Sequence, residues 1–227
     1  FMFTQMLHFQ LVRERSALEA ALRFLPLPLG LMPSAANSDR LCERFGSNNV
    51  VSLGLAIIGT AMLIFTTVGV GTPYWTLAVI FFLIGVGMGL TMAPSTTMVM
   101  DSIPHDKAGV GSATNDASRE VGGAFGIAIV GSAVNEIYQS EMSVPESLES
   151  NSALISESFP AAISIGNELL AQGNLIGAEL IENAQLAFVE GMTGAAAISA
   201  IVAFVNAVLV KLYMPIGVAK DSGDALA

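Results

Sequence analysis

The chain has 227 residues, is 53% hydrophobic and 12% charged, and carries a formal net charge of −10. Mean hydropathy is +0.65. A soluble domain would carry roughly twice this charge fraction, and the apolar residues fall in long blocks, so the composition points to a polytopic membrane protein. There is no basic patch, hence no case for a nucleic-acid partner. Cys42, the single cysteine, permits no intrachain disulfide and no cysteine metal framework.

Residues Phe1–Val12, FMFTQMLHFQLV, open inside an apolar pattern. They lack the basic start and small-residue cleavage site of a signal peptide. The expectation is the end of a truncated first helix, the chain being the C-terminal part of a longer protein. His8 reads as a helix-end residue at the interface, and Arg13 to Ser16 as a polar turn. A second helix is expected over Leu18–Asn37, interrupted by Pro26, Pro28 and Pro33. Glu19 and Arg23 stand at i, i+4 and can pair within it. Ser38–Asn49, SDRLCERFGSNN, reads as a compact charged loop with Asp39, Arg40, Glu43 and Arg44. Gly46 suits its turn, and the two arginines place it on the cytoplasmic side.

A third helix runs over Val50–Val70 and is long enough to span. Tyr74 and Trp75 in the following turn suit an aromatic interface belt. The fourth helix is expected over Thr76–Ala93, with an extension to Met100 past Pro94. Its Gly85 and Gly89 form GxxxG, which admits a second helix closely. The dinucleotide fingerprint GxGxxG is absent, because position 90 is Leu. Asp101–Lys107 is a short loop in which His105 is a solvated residue.

The fifth helix, Ala108–Asn135, is the unusual one. Its apolar, glycine-rich part, Val121–Val134, is too short to cross a bilayer, which takes roughly 20 helical residues. A full span must recruit the preceding turns, and these carry Asn115, Asp116, Arg119 and Glu120. Ser112, Asn115, Arg119, Gly122 and Gly126 share one face. Ionisable residues at membrane depth are costly and face a bundle interior or an aqueous cavity. The four polar residues are therefore the cavity or gate candidates. Gly85, Gly89, Gly122 and Gly126 are packing and hinge positions. Glu136 to about Gln185 reads as an acidic, non-cytoplasmic loop, since no Lys, Arg or His occurs from Val121 to Val210. Within it AISIGNELLAQG is mildly amphipathic, a candidate surface helix. A last helix spans Leu186–Tyr213, and residues 215–227 form a cytoplasmic tail after Lys211. The expected organisation is five membrane helices over 1–135, the acidic loop over 136–185, and the last helix over 186–214.

Three stretches together resemble a known family. They are SALEAALRFLPLPLGLM (Ser16–Met32), SDRLCERFGSNNVV (Ser38–Val51) and DKAGVGSATNDASREVGGAFGIAIVG (Asp106–Gly131). The chain looks like the C-terminal half of the major facilitator superfamily, and most of all like its fourteen-helix drug:proton antiporters of the EmrB/QacA type. Asp39, Arg40, Glu43, Arg44 and Gly46 match that family's second-half copy of its cytoplasmic loop signature. Asn48 and Asn49 stand where the family often has basic residues. The resemblance implies an all-α, six-helix half of a major-facilitator fold in the bacterial inner membrane. It implies alternating access with a proton as coupling ion, no bound cofactor or metal, and a lipophilic or small organic substrate. The partners it implies are the bilayer and an N-terminal half of the same protein. Without HExxH, GxSxG or a histidine–acid cluster, no enzyme is expected. The alternative is a non-transporting membrane scaffold or assembly subunit built on glycine-faced helices.

Overall fold

The computed structural model describes residues 21–104, 107–145, 147–148 and 152–214. The expected truncated helix, His8, Glu19, His105 and the C-terminal tail lie outside the described residues. Among those described, the secondary structure is entirely helical. The elements are α1 (Pro26–Phe45), α2 (Ser47–Phe65), α3 (Tyr74–Asp101), α4 (Ala108–Glu141), α5 (Ser152–Glu157), α6 (Phe159–Ala171) and α7 (Ile176–Tyr213). By length and composition α2, α3, α4 and α7 can each cross a membrane.

Several boundaries differ from expectation. Within the described residues α1 begins at Pro26, so Pro26 and Pro28 occupy the first turn, where missing N–H groups cost nothing. Only Pro33 interrupts the ladder; nearby, the Ser34 hydroxyl donates to the Gly30 carbonyl at 2.7 Å. The compact loop expected over Ser38–Asn49 is instead helix on both sides of one residue. Gly46, at φ 83°, alone separates α1 from α2. Only glycine takes this left-handed geometry at no steric cost. α3 continues through Pro94 to Asp101. The stretch expected as a polar connection after Glu136 is largely helical: α4 runs on to Glu141, α5 and α6 follow, and α7 starts at Ile176.

The chain divides into two compact units. One comprises the described residues up to Leu25, Met62–Leu77 and Gly122–Ser199. The other comprises Pro26–Ala61, Ala78–Val121 and the described residues from Ala200 on.

The first unit is organised around aromatic residues. Tyr138 of α4 is 2% exposed, and its hydroxyl donates to the Ile155 carbonyl at 3.0 Å. Its ring meets Phe159 edge-on at 6.1 Å, and Phe159 stacks on Phe188 of α7 at 4.1 Å. α6 is capped by Ser158 and closed by Gly173 at φ 77°. There the Asn174 N–H reaches the Leu169 carbonyl and the Gly173 N–H the Leu170 carbonyl, both at 2.9 Å. Gly166 and Gly177 let α6 and α7 touch: a Cβ on Gly166 would lie 3.0 Å from the Gly177 carbonyl oxygen. α7, with 38 residues, is about 57 Å long at the helical rise, against a hydrocarbon core of roughly 30 Å. α7 is therefore longer than one membrane crossing requires.

The second unit is a close packing of helices through glycines. A Cβ on Gly30 would strike the Phe82 carbonyl, and one on Gly85 the Leu27 carbonyl, so α1 and α3 are in backbone contact. A Cβ on Gly89 would lie 2.6 Å from the Leu31 carbonyl oxygen. Gly54 and Gly87 do the same for α2 against α3, at 2.6–2.8 Å from each other's carbonyl oxygen. On the other flank of α2, the Ser52 hydroxyl donates to the Ala207 carbonyl of α7 at 2.8 Å, and Gly59 faces the Phe204 ring. Small residues let dispersion act over a long contact, which is what associates helices in lipid.

Candidate functional site

The charged turn of α4 sits in the second unit. α4 has no proline, and its hydroxyls bond back to the helix: Thr114 to Val110 and Ser118 to Thr114, each at 2.8 Å. The helix thus runs unbroken from Ala108 through the polar turn into the glycine-rich part. Asn115 is half-buried, while Asp116, Arg119 and Glu120 are exposed.

Arg119 reaches across to α3. Its guanidinium donates to the Met92 carbonyl at 3.3 Å and to the Thr96 hydroxyl oxygen. The Thr96 hydroxyl in turn donates to the same Met92 carbonyl at 2.8 Å. These acceptors flank Pro94, where α3 lacks a ladder hydrogen bond. A proline-weakened turn is thus tied to α4 by one cationic side chain. Arg119 also borders a cleft of about 450 Å³ whose walls include Leu31, Ala35, Met88, Met92 and Thr97, with Gly89 between them. The cleft joins polarizable apolar surface to a guanidinium, a combination suited to adaptable contact with an apolar organic molecule.

Asp116 stands three residues before Arg119, a spacing that permits an ion pair on one helix. Among the described residues Arg119 bonds only to Met92 and Thr96, and Asp116 and Glu120 form no side-chain hydrogen bond or ion pair. Thr96, and the part that the turn at Pro94 plays, are what sequence reasoning missed. The available signal was a proline two residues from a threonine inside an otherwise apolar span.

Of the glycines, Gly85 and Gly89 lie against α1, whereas Gly122 and Gly126 face open space among the described residues. Asp39, Arg40, Glu43 and Arg44 are exposed on the last two turns of α1. Cys42 beside them is held above the ordinary thiol pKa, by burial first; Asp39 pushes the same way, while a hydrogen bond with Ser47 pulls it down. The described residues contain no cluster of His, Cys, Asp and Glu able to hold a metal.

Residues 1–127 match the family model described as Major Facilitator Superfamily. The chain belongs to the major facilitator superfamily. It is accordingly an integral membrane protein of a transport family and not an enzyme. It is 30% identical over 125 residues, 55% of its length, to a tetracycline resistance determinant of Streptomyces rimosus. It is 26% identical over 213 residues, 92% of its length, to the multidrug efflux pump LfrA of Mycolicibacterium smegmatis. It is 28% identical over 125 residues to a methylenomycin A resistance protein of Streptomyces coelicolor, again 55% of its length. The chain spans 36%, 41% and 26% of the lengths of these relatives, respectively. The resemblance seen in the three sequence stretches is to this same superfamily. The matched model stops inside α4, so α5, α6 and α7 lie beyond it.

Proposed function

We propose that this chain forms one helical bundle of a proton-coupled exporter of lipophilic or small organic molecules, working by alternating access. The observation that carries the proposal is the Arg119 contact at Pro94, which puts a cation from α4 on a cleft lined by Met88 and Met92. Secondary transporters bind substrate near the midplane at the junction of two bundles and rock one against the other. Arg119 would exchange its α3 acceptors for an acid of the other bundle, and protonation of that acid would release it. Asn115, Asp116 and Glu120 complete the polar lining, and the open Gly122–Gly126 face is where the other bundle would approach. The relatives with resistance and efflux names support drug-like cargo.

Sidedness follows the positive residues. Arg40, Arg44, Lys107 and Lys211 lie at helix ends or between helices, whereas the acidic stretch from Glu136 to Gln185 carries no Lys, Arg or His. The ends bearing the lysines and arginines, and with them the C-terminus, are assigned to the cytoplasm of a bacterial inner membrane.

The test is dye efflux from cells expressing the complete reading frame. Export of a lipophilic dye that stops on adding a protonophore is the expected outcome. No export under any proton gradient, with normal membrane insertion, would favour the non-transporting scaffold.

A further inference from the structure

A second cleft in the same unit is unrelated to Arg119. It holds about 450 Å³ and is lined by Phe45, Leu53 and Leu90 among other apolar residues, with Asn49 and Lys211 as its polar members. The Lys211 ammonium is held over the cleft by donating to Asn49 Oδ1. Arg44 stands beside the cleft rather than on its wall, its guanidinium carbon 5.4 Å from the centre of the Phe45 ring. Phe45 and Leu53 are 53% and 56% exposed. Leu53 is six residues into α2, so it lies about 9 Å along the helix from its first residue.

The cleft is therefore graded. Its outer end carries the Lys211 cation and an amide, with Arg44 beside it, and its inner end is apolar surface on helices long and apolar enough to cross the membrane. A small soluble anion would use only the outer end and leave the apolar walls against water or lipid. An amphiphile with an anionic headgroup matches both ends, and basic pockets among membrane helices take anionic lipid headgroups in this manner. We infer that this cleft is a binding site for an anionic glycerophospholipid of the surrounding leaflet. Its phosphate pairs with Lys211 and Arg44, and one acyl chain lies along Leu53 and Leu90. The inference needs membrane insertion alone and stands independently of any exported substrate.

The probe is phosphatidylglycerol against phosphatidylcholine, with the whole protein in mixed-lipid nanodiscs and retained lipid counted by native mass spectrometry. Phosphatidylglycerol should be retained preferentially. Lys211→Gln should lower its retention about fivefold, the factor expected for one lysine near an anionic surface. Leu53→Trp, which fills the apolar end and leaves both cations, should lower it as well. Equal retention of the two lipids by the unaltered protein would overturn the assignment, whether or not either variant folds. Inorganic phosphate displacing the lipid as well as phosphatidylglycerol does would also overturn it, by showing that the apolar end contributes nothing.

Discussion

Arg119 makes both of its contacts through one guanidinium nitrogen, Nη2. A guanidinium presents a rigid fork of donors, whereas an ammonium is a single point charge on a flexible stem. Arg119→Lys should therefore retain charge but only part of the Met92–Thr96 bridge. Export measured as initial dye efflux at equal expression should fall about tenfold or more for Arg119→Ala, and less for Arg119→Lys. Losing a hydrogen bond from a charged donor typically costs about 1.5–3 kcal/mol. Thr96→Val removes one acceptor while keeping the shape, so it should fall between unaltered protein and Arg119→Ala. A different residue answers to pH. Burial raises the Cys42 thiol above its ordinary 9.0, so less thiolate is present at any given pH. Alkylation by a membrane-permeant maleimide should be slow at neutral pH, with a half-maximal rate reached only above 9.0. A rate matching that of free cysteine at neutral pH would contradict the burial of this side chain.

At the scale of elements, glycine placement decides which helices touch. Gly85 has the Leu27 carbonyl where its Cβ would go, and backbone cannot step aside as a flexible side chain can. Gly85→Ala should destabilise the chain by about 1–3 kcal/mol, the usual cost of overpacking, read as a fall in detergent melting temperature. Gly122→Ala meets nothing among the described residues and should not lower that temperature, alanine being the better helix former. If the Gly122 face receives the other bundle, the same change should still lower export. The long apolar runs made α2, α3 and α7 legible from sequence, and GxxxG pointed to Gly85 and Gly89 as close-approach positions. The partners of those glycines were not legible, because pairing such as Gly54 with Gly87 joins residues remote in sequence. The charged Ser38–Phe45 segment has the polarity of a loop in the sequence. It is helix, since Asp39, Arg40, Glu43 and Arg44 can all point to solvent from its exposed side. The acidic segment misled for a related reason. Its few apolar anchors, Tyr138, Ile155, Phe159 and Phe188, are scattered in sequence and meet only in the fold.

At the scale of the whole molecule, membership of the major facilitator superfamily supplies the frame, and this chain spans well under half of each compared relative. In the proposed exporter, the charged turn of α4 lines a pathway whose access changes with transport state. Asp116 is exposed and one turn from Arg119, so a reporter there samples the pathway directly. The decisive measurement is the labelling rate of Asp116→Cys, in a Cys42→Ala background, by a membrane-impermeant thiol reagent applied from the cytoplasm. It would be taken with substrate present, with the proton gradient on and then collapsed. The account predicts a rate that changes severalfold between these conditions. A fast rate, identical in every condition, would place the turn permanently in cytoplasmic water and contradict it.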